Sequence, residues 1–502
     1  MKTNKTSIGL TRRAILRSTA AAVASVAVAH KLIPTALAQS VPPDKPMRRP
    51  PLSERRFTSV AIEDAIRRVS AQIADPELAL IFSNCLPNTL DTTVSPDSLD
   101  GKPDTFVITG DIDAMWLRDS SAQVWPYLAF CKEDPRLSIL IEGVIRRQTR
   151  CILIDPYANA FLRTVDSKPL SWAAHDDTLM KSGVGERKWE IDSLCYTIRL
   201  AHGYWQATGS TTPFDAEWHE AARTIVHTFR QQQRKHGPGP YRFQRASPHP
   251  TDTLPLDGYG NPARSVGLIY SGFRPSDDAC LFPLFIPSNL FAVASLRQLA
   301  VLADKVCHDS ALANDCASLA DEVAAALAQY GQVDTASHGR IWAYEVDGYG
   351  NTLRMDDANA PGLVSLEYLG CVTPSQSDLY RRSRAFALSV ENPYFFHGTA
   401  ADGVGGPHIG LGYIWPMSIM FRAFSSTDDR EIFQCLRWLR NSTAATCFMH
   451  ESFWKDDPAR YTRPWFAWAN TLFGELILKL AKEKPALLQV SSQSLGHSVS
   501  LS

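Results

Sequence analysis

Apolar residues recur three and four positions apart through most of the chain beyond about residue 57, the spacing that keeps one face of a helix dry. The pattern predicts helices at about 58–75, 116–131, 136–154, 189–207, 215–234, 287–305 and 309–330. A short one follows near 363–370, then others at 375–390, 411–424, 428–446 and 464–483. Twelve helices in one sweep, with no obvious break, predict an all-α dominated fold in one domain over 57–485. Taken in pairs they suggest six helical hairpins closed into an (α/α)6 barrel, with Trp125-Pro126 and Trp415-Pro416 as echoed pairs inside the helical pattern. Residues 339–346 alternate in polarity and run into the turn Asp347-Gly348-Tyr349-Gly350-Asn351. They predict a small β-hairpin inserted in a loop. A similar D-G-Y-G-N turn stands at 257–261.

The two ends break this pattern. Residues 1–38 carry Lys2, Lys5, Arg12, Arg13, Arg17 and Lys31 without one acid, then a mild Ala/Val run and Ala36-Leu37-Ala38. A basic start, a short apolar run and A-x-A describe a cleaved export signal. The Arg12-Arg13 pair resembles a twin-arginine signal, which implies the Tat export machinery as a partner and a periplasmic or secreted product. Residues 39–56 are proline-rich and charged and read as a linker; 486–502 read as a C-terminal tail. No apolar run after the signal reads as a membrane span. With Lys+Arg 51 against Asp+Glu 52, the formal charge is −1, which gives no basic surplus for nucleic acid. Ten cysteines include no C-x-x-C. Buried inert thiols are expected, with Cys307 and Cys316 the one pair placed to bond after export.

Candidate chemistry sits in a few polar–aromatic strings. Residues 109–128 read TGDIDAMWLRDSSAQVWPYL. On a continuous helix Trp116, Asp119, Gln123 and Tyr127 share one face and Leu117, Val124 and Leu128 another. A polar–aromatic face suits a sugar, and an Arg118–Asp119 ion pair that only holds the fold suits it equally well. In Arg274-Pro275-Ser276-Asp277-Asp278 two adjacent acids precede an apolar run. Adjacent carboxylates can lift one pKa into the range of a general acid, or simply cap a helix. Glu451, in Met449-His450-Glu451-Ser452-Phe453, has aromatic neighbours that would desolvate it. Asp356, Asp357 and Asn359 cluster in a loop, as do His175-Asp176-Asp177 and Glu190-Ile191-Asp192. Residues 403–412, GVGGPHIGLG, lack the dinucleotide spacing and read as a pocket-shaping loop. There is no H-E-x-x-H, no EF-hand pattern and no G-x-S-x-G.

Together with KWEIDSLCY at 188–196, EVDGYGNTLRMDDANAPGL at 345–363, GVGGPHIGLGYIWPMSI at 403–419 and RPWFAWANTLFGELI at 463–477, these strings resemble glycoside hydrolase family 125, the exo-α-1,6-mannosidases, in the family's order. The resemblance implies an (α/α)6 barrel and hydrolysis with inversion, without metal or other cofactor. The substrates it implies are α-mannoside glycans, N-glycan or mannan fragments, losing single mannose units from non-reducing ends. It implies Asp278 as general acid, with Asp277 the second choice, and Glu451 as general base. Arg118 and Asp119 would then hold the sugar, with Asp113, Trp116, Asp192, Asp356, Asp357, Asn359, His408 and Tyr413 as further candidates for the pocket wall. A glycoside phosphorylase and a non-catalytic periplasmic glycan-binding protein remain the alternatives.

Overall fold

A computed structural model describes residues 48–490. The export signal expected at 1–38 lies outside the described residues, as do 39–47 of the linker and 491–502 of the tail. The rest of the linker is docked on the body. Arg49 is clamped between Glu63 and Asp91 at 2.6 and 2.7 Å. The described start of the tail is docked as well, with Leu488 buried in the core.

The described residues form a helix-rich body. In chain order the helices are α1 (Val60–Ser70), α2 (Pro76–Cys85), α3 (Asn88–Thr92), α4 (Leu117–Val124), α5 (Pro135–Ile154), α6 (Ile191–Thr208) and α7 (Ala216–Gln232). They continue with α8 (Ile286–Lys305), α9 (Ser310–Tyr330), α10 (Ser377–Ala387), α11 (Pro416–Phe424), α12 (Asp429–Asn441) and α13 (Ala467–Glu483). Several starts are written in the sequence: Ser59, Asp75, Asp134, Asp215, Asp309 and Asp428 each cap a helix by accepting a backbone N–H, which satisfies an otherwise orphaned donor. The first expected helix is α1 alone; Asp75-Pro76 starts a further helix, α2, that was not expected. The segment 363–370 is a run of turns and not a helix.

The expected helix at 116–131 is interrupted. It is regular only over α4 and tightens into a 3-10 turn at Trp125–Phe130, where Pro126 withholds an N–H. Every residue of α4 is buried, so the expected division into a wet and a dry face does not exist. Gln123 accepts from Thr89 and Thr93 at 3.1 Å, and the Tyr127 hydroxyl donates to the Leu86 carbonyl at 2.7 Å. Both side chains tie the scaffold together.

Helix α4 packs against α6 and α13, α6 against α8, and α13 against α11. Each of these five carries fully buried Leu, Ile or Phe side chains. Helix α8 is apolar and long enough to cross a bilayer, contrary to the expectation of no such run, but it is mostly buried here. Short antiparallel ladders stand at the helix starts. Met115–Trp116 pairs with Ala160–Phe161, Leu284–Phe285 with Glu345–Val346, and Tyr413–Ile414 with Phe453–Trp454. They fix where each chain segment turns into α4, α8 and α11. Across the expected turn at 347–351, Glu345–Val346 pairs with Thr352–Leu353; the preceding Gly339–Trp342 pairs backward with Gln332–Thr335 in a second hairpin. All ten cysteines are free, so Cys307 and Cys316 are not bonded; Cys316 faces the core.

Close helix packing sets a test. A Cβ on Gly474 of α13 would lie 2.7 Å from the Leu86 Cα, and Leu86 is pinned by Tyr127. Gly474→Ala should gain helix propensity yet lose about 1–3 kcal/mol to overpacking. The urea midpoint should fall; an unchanged or higher midpoint would contradict this packing.

Candidate active site

The N-terminal ends of α4, α6, α8, α11 and α13 converge on one polar cleft of about 470 Å³. Its walls are Thr109, Ile112, Trp116, Arg118 and Asp119 from the approach to α4, and Pro275, Ser276 and Asp277 from the turn before α8. Asn359, His408, Trp415, Glu451, Arg463, Phe466 and Trp468 complete them. Three indoles and a phenyl ring around carboxylates and guanidiniums make a surface for a flat, hydroxylated ligand.

Arg118 organises the floor. It is 3% exposed and reaches four carboxylates: Glu190 at 2.5 Å, Asp192 at 3.1 Å, Asp277 at 3.4 Å and Asp119 at 3.6 Å. Burial works against its charge, but these acids outweigh burial and hold it firmly protonated. Asp119 responds oppositely: burial, only partly offset by Arg118, lifts its carboxyl to about 6.

The two adjacent acids part company. Arg274–Asp277 form a tight turn in which the Asp277 N–H donates to the Arg274 carbonyl at 2.9 Å. Asp277 sits in the left-handed region at φ 69°, a conformation that Asp and Asn tolerate better than most residues. Its side chain reaches the cleft. Burial pushes its pKa up, but Arg118, Lys188, a hydrogen bond from Glu190 and the charge of His408 together bring it down to about 2. Asp278 is not among the residues that line the cleft and is 2% exposed. His408 Nδ1 stands 3.3 Å from its Oδ1, while its buried Oδ2 has no protein partner. Burial disfavours the His408 imidazolium, but the bond to Asp278 and the charges of Asp278, Asp277 and Glu451 raise it to about 9.

Glu451 stands on the wall between Thr462, whose hydroxyl donates at 2.9 Å, and Arg463 at 3.3 Å. Arg463 also holds Asp111 at 2.9 Å. His450 points away from the cleft. It stacks on Tyr461 with centroids 4.0 Å apart and donates Nδ1–H to the Arg463 carbonyl at 2.7 Å.

Of the residues expected around the site, Arg118, Asp119, Trp116, Asn359, His408 and Glu451 line the cleft. The others do not. Asp113 is exposed on an outer turn against Arg163. Asp192 is wholly buried behind Arg118, where it also accepts from Ser288. Asp356 accepts the backbone N–H groups of Leu363 and Val364 at 2.7 and 3.1 Å. Burial holds its carboxyl near 8, so it staples a loop. Asp357 fixes Asn359 through its Oδ1. Tyr413 packs edge-on against Trp454. Cleft residues that the sequence did not single out include Ser276, Trp415, Phe466 and Trp468; their only signal was membership of the polar–aromatic strings. Among the described residues no three His, Cys, Asp or Glu side chains form a group that could hold a metal ion.

The profile of one family, described as metal-independent alpha-mannosidase (GH125), matches residues 75–478. The chain belongs to glycoside hydrolase family 125. It is therefore a glycosidase of the α-mannosidase class. A solved Streptococcus pneumoniae structure superimposes with a TM-score of 0.81 at 38% identity, over 86% of this chain and all of that one. It is described as a metal-independent alpha-mannosidase in a non-productive substrate complex with alpha-1,6-mannobiose. The meiotically up-regulated gene 157 protein of Schizosaccharomyces pombe is 41% identical over 464 residues, 88% of this chain and 90% of that protein.

The pKa of His450 gives a stability test for this family member. Burial lowers it from 6.5 to about 4, so the unfolded chain binds a proton that the folded one refuses. Its contribution is intact above pH 6.5 and is lost as pH falls toward 4, by up to about 3 kcal/mol. Urea unfolding between pH 7 and 4 should lose this part of its pH slope in His450→Gln; an identical slope would refute the assignment.

Proposed function

We propose that this chain is an inverting, exo-acting α-mannosidase that removes non-reducing terminal α-1,6-linked mannose by metal-independent hydrolysis. The observation that carries the reading is the cleft itself. It is a polar pocket with aromatic walls, holding Glu451 and Asp277, with Asp278 next to Asp277 in the same turn, in a chain that shares its fold and family with an enzyme seen holding α-1,6-mannobiose.

Glu451 serves as general base. The Arg463 guanidinium and the Thr462 hydroxyl hold its carboxylate on the cleft wall, in position to take a proton from the attacking water. Asp278 serves as general acid. Asp277 is held anionic by Arg118 and has no proton to give at working pH. Asp278 stands 3.3 Å from His408 on the cleft wall and keeps its Oδ2 without a protein partner. In the reaction the Asp278 proton goes to the glycosidic oxygen as the C–O bond breaks. A water attacks the anomeric carbon from the opposite face and loses its proton to Glu451. Arg118, Asp119 and Asp277 grip sugar hydroxyls, and Trp116, Trp415 and Trp468 shape the walls.

The same reading takes the scaffold as an (α/α)6 barrel, in which α4, α6, α8, α11 and α13 are inner helices and the turns at 363–370 fill the sixth place. It takes the twin-arginine signal at the start as directing the enzyme to the periplasm or the exterior, where N-glycan or mannan fragments are the substrates.

Asp278→Asn and Glu451→Gln should each lower kcat/KM on α-1,6-mannobiose by about 10²–10⁴-fold. An aryl mannoside with a good leaving group should largely restore Asp278→Asn and leave Glu451→Gln slow. Asp277→Asn should act mainly through KM. Near-full activity in either of the first two would overturn its role; the leaving-group pattern appearing in Asp277→Asn instead would move the acid there. Proton NMR should show β-mannose as the first anomer. First-formed α-mannose would refute inversion, and release that requires added phosphate would make the enzyme a phosphorylase.

A further inference from the structure

One buried carboxyl at the cleft floor has no place in that chemistry. Glu190, at the start of α6, is 0% exposed. Its Oε2 accepts from Arg118 at 2.5 Å and from Ser193 at 2.9 Å. Its Oε1 faces the Asn159 amide at 3.4 Å, and the same amide reaches Asp277 Oδ1 at 3.5 Å. Glu190 and Asp277 thus meet around one guanidinium and one amide: Arg118 and Asn159 each contact both. Two ionised carboxylates gathered on the same partners repel each other, and neither has a proton to donate to the other.

The charges around the pair point the same way. Arg118 faces Glu190, Asp192, Asp277 and Asp119. Lys188 faces the pair from the strand side, yet its ammonium goes to Asp252 at 3.1 Å and to the Asp277 backbone carbonyl at 2.8 Å. Glu186 stands beyond Asn159, which donates to it at 3.0 Å. His408 and Arg463 act on Asp277 from the far wall. Four carboxylates against one buried guanidinium leave a surplus of negative charge that a single proton relieves.

We propose that Glu190 is a positioning residue: it carries a proton shared with Asp277, and that proton holds Asp277 in the cleft with a free oxygen turned toward a sugar hydroxyl. Asp277 keeps its charge, and Glu190 supplies the hydrogen bond that a second anion could not. Loss of this proton at high pH sets two anions against each other beside Arg118 and displaces Asp277, so sugar binding weakens before the proton transfers do. The consequence for sugar binding rests on reading the cleft as the mannose pocket; the shared proton does not.

Infrared spectroscopy of enzyme labelled with ¹³C in the glutamate carboxyls tests the proton directly. At pH 7 the wild type should show the C=O stretch of a protonated glutamic acid, displaced by the label. Glu190→Gln should remove it. Asp277→Asn removes the like charge, so the band should titrate away at least about one pH unit lower. In kinetics, KM for α-1,6-mannobiose should rise about tenfold across the pH range in which the band disappears, with kcat changing less, and this step should be missing in Glu190→Gln. Absence of the band in the wild type, its survival in Glu190→Gln, or an unchanged KM step in that variant overturns the proposal. If Glu190→Gln does not fold, the wild-type band and its displacement in Asp277→Asn still decide. A protein that shows the band but cleaves no mannoside leaves the shared proton standing and removes the proposed function.

Discussion

The buried guanidinium of Arg118 is the interaction on which the site depends. A lone cation at 3% exposure would be prohibitively costly, and four carboxylates from three separate segments make it tolerable. Asp119 comes from its own helix, Glu190 and Asp192 from the start of α6, and Asp277 from the turn before α8. Each of those segments is thereby held at a fixed distance from one planar group. The arrangement explains why α4 is buried on every side, although its sequence pattern suggested a wet face and a dry one. It also explains why the site lies at helix beginnings, where short two-residue ladders stop one direction of chain and start another.

The same surplus of acids sorts the carboxyls by environment, which is how neighbouring groups of one chemical type come to take different parts. Asp277 and Asp278 are adjacent in sequence, but they meet different partners, and only Asp277 lines the cleft. One meets Arg118 and stays charged; the other meets His408 and keeps an unpartnered oxygen. Asp119 is pushed up by burial, and Glu190 further still. Across the cleft, Glu451 is paired with Arg463 and Thr462. The reading as an inverting mannosidase draws on this division, with Glu451 on one wall, Asp278 against His408, and the anionic Asp277 between them.

Much was legible along the chain. The six polar–aromatic strings carried the family, because long unusual stretches in a fixed order are far more specific than any single motif. Helical spacing located most helices within a few residues, and the alternation at 339–346 located a hairpin. Arg118, Asp119 and Glu451 stood out as expensive side chains in apolar company. Less was legible where a side chain's direction depends on a turn. Asp113 lies two residues before Met115 and faces solvent. Asp356, in the same loop as Asn359, spends both its oxygens on backbone N–H groups. Gln123 and Tyr127 fall at helical spacing from Asp119, yet a proline tightens the helix and both tie down the scaffold.

By itself the sequence determined the helix-rich class, the family, the capped helix starts and the strings from which the site is made, because these rest on local spacing and on the identity of adjacent residues. Only the tertiary structure decided which acids meet around Arg118, that Glu190 and Asp277 gather on the same guanidinium and amide, and that Asp278 stands against His408. Apart from Asp119, those partners are more than seventy positions apart in the chain. A carboxyl's charge is set by whatever burial and neighbours the fold brings to it, and no local pattern records them.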